Sequence, residues 1–173
     1  AFVLDHTRIE INEHDYFVGL YSLNRLANKS TFKKWGEESR ALRNPETIER
    51  ANDFNNSGAV TIWTDYDHVV PDWKSLMELG FVGIRERARE YRKMHSENKT
   101  MTKETEAFFD GIEIQYTAII DLIDRMYRTA CELTFEKAPR IAECLKNLRD
   151  GHPTCFYEAL QLIYIFFIIS ESI

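Results

Sequence analysis

A mainly α-helical fold is what the sequence predicts, and three observations carry it. Apolar residues recur at spacings of three and four along most of the chain, the period of helices with one buried face. Glycine and proline are few, seven and four residues. A single β-branched run, Val60-Thr-Ile62, reads as a strand, so at most one short strand is expected, near residues 60–63. At 173 residues, 44% hydrophobic and 29% charged, the chain reads as one helical region, residues 1–173, with enough apolar surface to bury a core.

The elements follow in order. From Ile9 a polar turn (Glu10, Asn12, Glu13, His14, Asp15) leads into an amphipathic stretch through Leu26, with Phe17, Leu20, Tyr21 and Leu23 on its apolar face. Ser30 or Thr31 caps a helix running to Arg43. Pro45 opens another, to Phe54, with Glu46 and Glu49 near its positive end. Asn55-Asn-Ser-Gly58 is a loop by composition. Trp73 to Leu79 forms a short helix, and Gly83 to Glu97 another whose interleaved arginines and glutamates make a solvated face.

Thr102 starts the longest helix, expected to reach about Phe135. Its apolar stripe is Phe108, Ile112, Tyr116, Ile119, Ile123, Met126 and Ala130, with Asp121–Arg125 and Asp124–Arg128 pairs on the other side. Gly111 within it implies close packing or a bend. Pro139 to Leu148 is a further amphipathic helix, closed by Gly151 as a left-handed cap. Pro153 or Thr154 opens the last helix, whose core, Ala159 to Ile169, contains one polar residue, Gln161. Eleven residues fall short of the roughly 20 needed to span a bilayer. A helix apolar all round belongs inside something larger, so either further polypeptide covers it or it self-associates.

Charge and cysteine usage exclude several classes. A net charge of −6 argues against nucleic acid as partner. Cys131, Cys144 and Cys155 show no C-x-x-C spacing and are odd in number, so a reducing cytoplasm is expected, with Cys131 and Cys144 in the core and Cys155 a packed thiol. None has a recognisable histidine or basic partner to activate it. The sequons at Asn28, Asn55 and Asn98 lack a secretory signal.

The chemistry concentrates in Gly58 to Gly80. Thr64, Asp65, Asp67, His68 and Asp72 lie together just ahead of a helix N-terminus. Pro71 holds Val70 extended, and Asp72 stands where an N-cap would. His68 reads either as a hydrogen-bonded loop histidine or as a group that hydrogen-bonds or protonates a substrate oxygen. Asp72 reads either as a helix cap or as the carboxylate that fixes a hydroxyl or a cation. The stretch lacks the glycine and closing glutamate of a calcium loop, and no H-E-x-x-H occurs, so no metal site is assigned. The pair His14-Asp15 admits a weaker reading, a metal-dependent phosphohydrolase.

His68-Val-Val-Pro-Asp72-Trp-Lys-Ser-Leu-Met-Glu-Leu-Gly80 resembles the GH-x-x-x-D stretch in the N-terminal region of glycyl radical enzymes, the pyruvate formate-lyase-like lyases and dehydratases. Arg149-Asp-Gly151, then Phe156-Tyr-Glu-Ala-Leu-Gln161, and Ile119-Ile-Asp121-Leu-Ile-Asp124-Arg125 are similar to that family too, and the likeness runs from about Ile9 onward. One departure is Asp67, where the family has glycine.

The resemblance implies the multi-helix N-terminal part of an α/β barrel, in a parent several times longer. It implies an anaerobic lyase or dehydratase breaking C–C, C–O or C–N bonds. A partner enzyme using S-adenosylmethionine installs a glycyl radical there, and a cysteine loop relays it to substrate. By the resemblance His68, Asp72 and, more weakly, Thr64 are substrate-binding residues. No catalytic residue is assigned in this chain, because no cysteine stands in the family's loop context and no glycine-radical motif occurs; the chain alone is expected to be inactive and to hold no cofactor. Its expected partners are the remainder of the parent, the activating enzyme and a second copy docked through the last helix, with no membrane. The competing expectation is a free-standing helical protein that dimerises through that helix.

Overall fold

The structure is a computed structural model describing residues 2–5, 9–18, 37–38, 44–58 and 71–172. Its helices are α1 (Phe2–Asp5), α2 (Pro45–Ser57), α3 (Trp73–Glu97), α4 (Lys103–Cys131), α5 (Ala138–Asp150) and α6 (Phe156–Ser172), and the described residues contain no strand. The fold is mainly α, as expected. The helix expected over Thr31–Arg43, the strand at residues 60–63 and the stretch beyond Val18 lie largely or wholly outside the described residues.

α4 is the axis. Thr102 caps it by accepting from the Thr105 amide at 3.1 Å, as the sequence predicts. Ala118, Ile119, Leu122, Ile123, Met126 and Ala130 are buried along one side. Around them close Ile141, Leu145 and Leu148 of α5, Leu162 and Ile165 of α6, and Leu4 of α1. The stripe departs from expectation at its start, where Phe109 is buried and Phe108 is 63% exposed. The helix also stops at Cys131, which is exposed; Cys144 is the core thiol, its pKa pushed up to about 12 by burial. Cys155, expected to be packed, is exposed as well.

α3 runs antiparallel to α4 after the turn at 98–102. As α3 advances, its partners on α4 count back: Arg85 donates to Thr117 at 3.3 Å, Arg89 to Glu113 at 2.8 Å, and Arg92 to Asp110 at 2.7 Å. The arginines expected on a solvated face therefore form a ladder between two helices. The rungs at Arg89 and Arg92 are well exposed, so each contributes about 0–1 kcal/mol and serves register more than stability.

α5 is pinned to α4 by Arg149. It donates to Asp124 at 2.9 Å and to its neighbour Asp150 at 2.7 Å, and its guanidinium lies 4.7 Å from the Tyr127 ring centre. Asp124 also meets Arg128 at 2.7 Å, so the expected i,i+4 pair exists but belongs to an inter-helix network. Gly151, expected in a left-handed conformation, has an extended φ of −166°. α2 runs through Ser57, three residues beyond the predicted end, and Gly58 with φ +68° follows it.

α6 buries Leu162, Ile165, Ile168 and Ile169 and leaves Phe167 49% exposed. Its polar residues hold other segments. Gln161 accepts from the Val18 amide at 2.8 Å and donates to the Val18 carbonyl at 2.9 Å, clamping the N-terminal segment onto the bundle. Buried Glu158 accepts from Asn147 at 2.7 Å and from the Thr154 amide and hydroxyl at 2.6 and 2.9 Å. Burial alone would raise its pKa, but these bonds outweigh burial and hold it below the usual glutamate range.

A Cβ at Gly111 would meet nothing within 4 Å, so neither close packing nor a clash accounts for the residue, and Gly111→Ala should raise stability by about 0.5–1 kcal/mol in denaturant unfolding. Glu158→Gln should cost about 1–3 kcal/mol at pH 7. Because the folded-state pKa is depressed, Glu158 stabilises above its unfolded value of about 4.3 and loses that contribution as pH falls through the lower folded value. Unfolding of wild type and variant should therefore converge as pH drops below that range.

Candidate functional site

Among the sequence-predicted site residues, Asp72 is described; Thr64 and His68 lie outside the described residues, as do Asp65 and Asp67. Asp72 caps α3: its Oδ1 accepts from the Ser75 amide at 3.1 Å, while its carbonyl accepts from Leu76 at 3.0 Å. The cap reading of this residue is therefore correct. Hydrogen bonds from the Ser75 hydroxyl and amide, aided by the charges of Arg87 and Lys74, hold its pKa below the usual carboxylate range. The carboxylate is exposed and ionised.

The support around Asp72 comes from tertiary structure. Arg87 donates to the Ser75 hydroxyl at 3.1 Å, so the residue whose amide the Asp72 cap accepts from is itself held from across the helix. Ser75 and Arg87 stand on opposite sides of a break in α3 at Gly80, where φ is +62° and ψ −177°. Trp73 packs edge-on against Phe166 of α6, 5.1 Å between ring centres. Sequence reasoning missed Ser75 and Arg87, because a pairing twelve residues apart across a bend has no helical signature. The glycine at 80 was the available signal, since it interrupts two stretches that each read as helix.

The other candidates find structural roles. Asp15 is buried and accepts from the Asn12 amide at 2.8 Å, while His14 points out beside Glu13 at 3.3 Å. An open depression of about 240 Å³ adjoins His14, lined also by Phe135, Glu136 and Lys137. Among the described residues no three His, Cys, Asp or Glu side chains converge as metal ligands, and this gives the phosphohydrolase reading no support. A cleft of about 210 Å³ between α3 and α4 is lined by Arg89, Arg92, Phe109 and Glu113, whose charged groups already pair with one another or with Asp110. Among the described residues no helix is long and apolar enough to cross a membrane.

Over residues 5–172 the chain matches the family model described as pyruvate formate lyase-like. It belongs to that family, the glycyl radical enzymes. Comparison with curated proteins and with solved structures gives no match.

Asp72→Ala should fray the first turn of α3, and the Ser75 and Leu76 amides should exchange faster than in wild type while those of α4 do not change. The depressed pKa sets the sign of the pH effect. The cap holds at neutral pH and fails as pH falls through the lowered value, so exchange at Ser75 in wild type should approach that of the variant in acid.

Proposed function

We propose that these helices form scaffold and part of the substrate-pocket wall of a glycyl radical lyase or dehydratase. The observation that carries the proposal is the state of Asp72: an ionised carboxylate, exposed, with one oxygen fixed at a helix N-terminus. A carboxylate has about four lone-pair sites, so capping leaves capacity to accept from a substrate hydroxyl or to face a cationic group. His68, four residues earlier in the sequence, supplies the hydrogen bond to a substrate oxygen, and Thr64 is a weaker candidate for the same pocket.

Radical chemistry, in this reading, belongs to a cysteine and a glycine outside this sequence. Cys144 fits no such role, being buried in the core with its thiol pushed up to about 12. A glycyl radical, installed by an S-adenosylmethionine-dependent activase, would supply the radical that the cysteine passes on to substrate, and the residues here bind and orient. The partners proposed are that activase, the rest of the enzyme, which covers the exposed aromatic side of α6 at Phe167, and a second copy of the enzyme. The reading places the protein in the cytoplasm of an anaerobic cell.

The test is made in the intact, radical-loaded enzyme, assayed against a vicinal diol, an amino alcohol, a hydroxyproline and a hydroxyalkyl sulfonate. His68→Ala and Asp72→Asn should each lower kcat/KM on the accepted substrate about tenfold to a hundredfold, with radical content by electron paramagnetic resonance unchanged. Wild-type turnover in both variants would remove these residues from the pocket.

A further inference from the structure

The break in α3 is built more firmly than a helix interruption needs. Gly80 occupies φ +62°, ψ −177°, a region of backbone space that only glycine enters at low cost. It is also buried, and a Cβ there would lie 2.1 Å from the Gly151 carbonyl oxygen, 3.0 Å from its carbonyl carbon and 3.1 Å from His152 Cα. The reverse does not hold: a Cβ on Gly151 would meet nothing nearer than the Asn147 carbonyl at 3.8 Å.

What Gly80 rests on is itself anchored. The Gly151 amide donates to the Asn147 carbonyl at 2.9 Å, the Asn147 side chain donates to Glu158 of α6, and neighbouring Arg149 reaches Asp124 of α4. On the far side of the break, residues 73–79 carry Asp72 at their start, with Leu76 buried beneath. Arg87 braces this arm across the bend through Ser75.

We infer that Gly80 is a positioning residue: seated on the Gly151 carbonyl, it aims the first two turns of α3, and with them Asp72, at the substrate. This rests on the pocket reading proposed above. A residue forced to helical angles at position 80 would redirect those turns away from Phe166, and a misplacement of about 1 Å at a binding group can cost on the order of a hundredfold in rate.

The experiment compares Gly80→Ala with wild type in the intact, radical-loaded enzyme, by amide hydrogen exchange and by turnover on the same four substrates. Exchange protection should fall across residues 73–79 and persist in 82–97, α4 and α5. kcat/KM should fall about a hundredfold at unchanged radical content. Arg87→Gln loosens the same joint without a clash and should show a weaker version of both effects; it decides the matter if Gly80→Ala does not fold. Protection lost equally through α4 and α5 would make Gly80 a packing residue and overturn the inference. So would local loosening with full turnover while His68→Ala is crippled. Full turnover in His68→Ala and Asp72→Asn as well would show instead that the pocket reading had failed.

Discussion

Burial of one side of α4 is the constraint on which the other elements depend. Leu122, Ile123 and Met126 have no exposed surface, and neither do Leu145 and Leu148 of α5 or Leu162 and Ile165 of α6 that close over them. Fully burying each such side chain contributes about 1.5–3 kcal/mol, whereas an exposed rung of the α3–α4 ladder contributes a fraction of that. Apolar packing thus holds the bundle together, and the arginine–carboxylate pairs select one alignment among those that packing would allow. Arg149 is the best placed of these pairs: it is largely shielded, faces Asp124 on another helix and lies over Tyr127, so it fixes the end of α5 at which Gly151 sits.

The polar residues inside this core are connectors. Gln161 interrupts the apolar run of α6, and its amide presents to Val18 the donor–acceptor pair a neighbouring strand would present, so a non-helical segment can dock without orphaned backbone groups. Glu158 ties the entry of α6 to Asn147, and Asp15 closes the turn at Asn12. Each satisfies backbone groups or a side chain that would otherwise be buried unpaired, and such groups cost about 1–3 kcal/mol each. Their presence explains how so apolar a helix can also organise chain outside the helices.

How far the sequence foretold this depended on the range of each interaction. The Thr102 cap and the stripe from Ile119 to Ala130 are local and periodic, so they were legible. Phe108 and Phe109 are neighbours about 100° apart around the helix, and near the tip of the hairpin, where α3 is the packing partner, pattern alone could not say which one turns inward. Gly111 suggested a crowded or bent site, yet it faces open space. Cys131 continued the apolar period past the point where the core ends. The arginines of α3 were read as a solvated face because nothing in a linear pattern states which neighbouring helix carries the matching acids. At the candidate site Asp72 was recognisable as a cap from Pro71 and Asp72 alone. Ser75, Arg87 and the Gly80–Gly151 seat were not, since each is a meeting of residues that only the folded chain brings together.

The cap and the substrate role proposed for Asp72 compete less than the sequence suggested. Were the carboxylate free, its rotamers would blur the direction of any contact it made and its charge would depend on the ligand present. Bound to Ser75, it loses that freedom before any ligand arrives and stays ionised to lower pH than an ordinary aspartate. Preorganisation of this kind removes part of the ordering cost from the binding step. The charge also lies at the positive end of a helix, which favours the anion without neutralising it. A hydroxyl donor approaching the second oxygen would meet a full negative charge already held in place. The same hydrogen bonds that begin the helix thus prepare the group, so loss of the cap and loss of recognition at position 72 are separable only by comparing Asp72→Asn, which keeps an acceptor oxygen for the Ser75 amide, with Asp72→Ala, which keeps none.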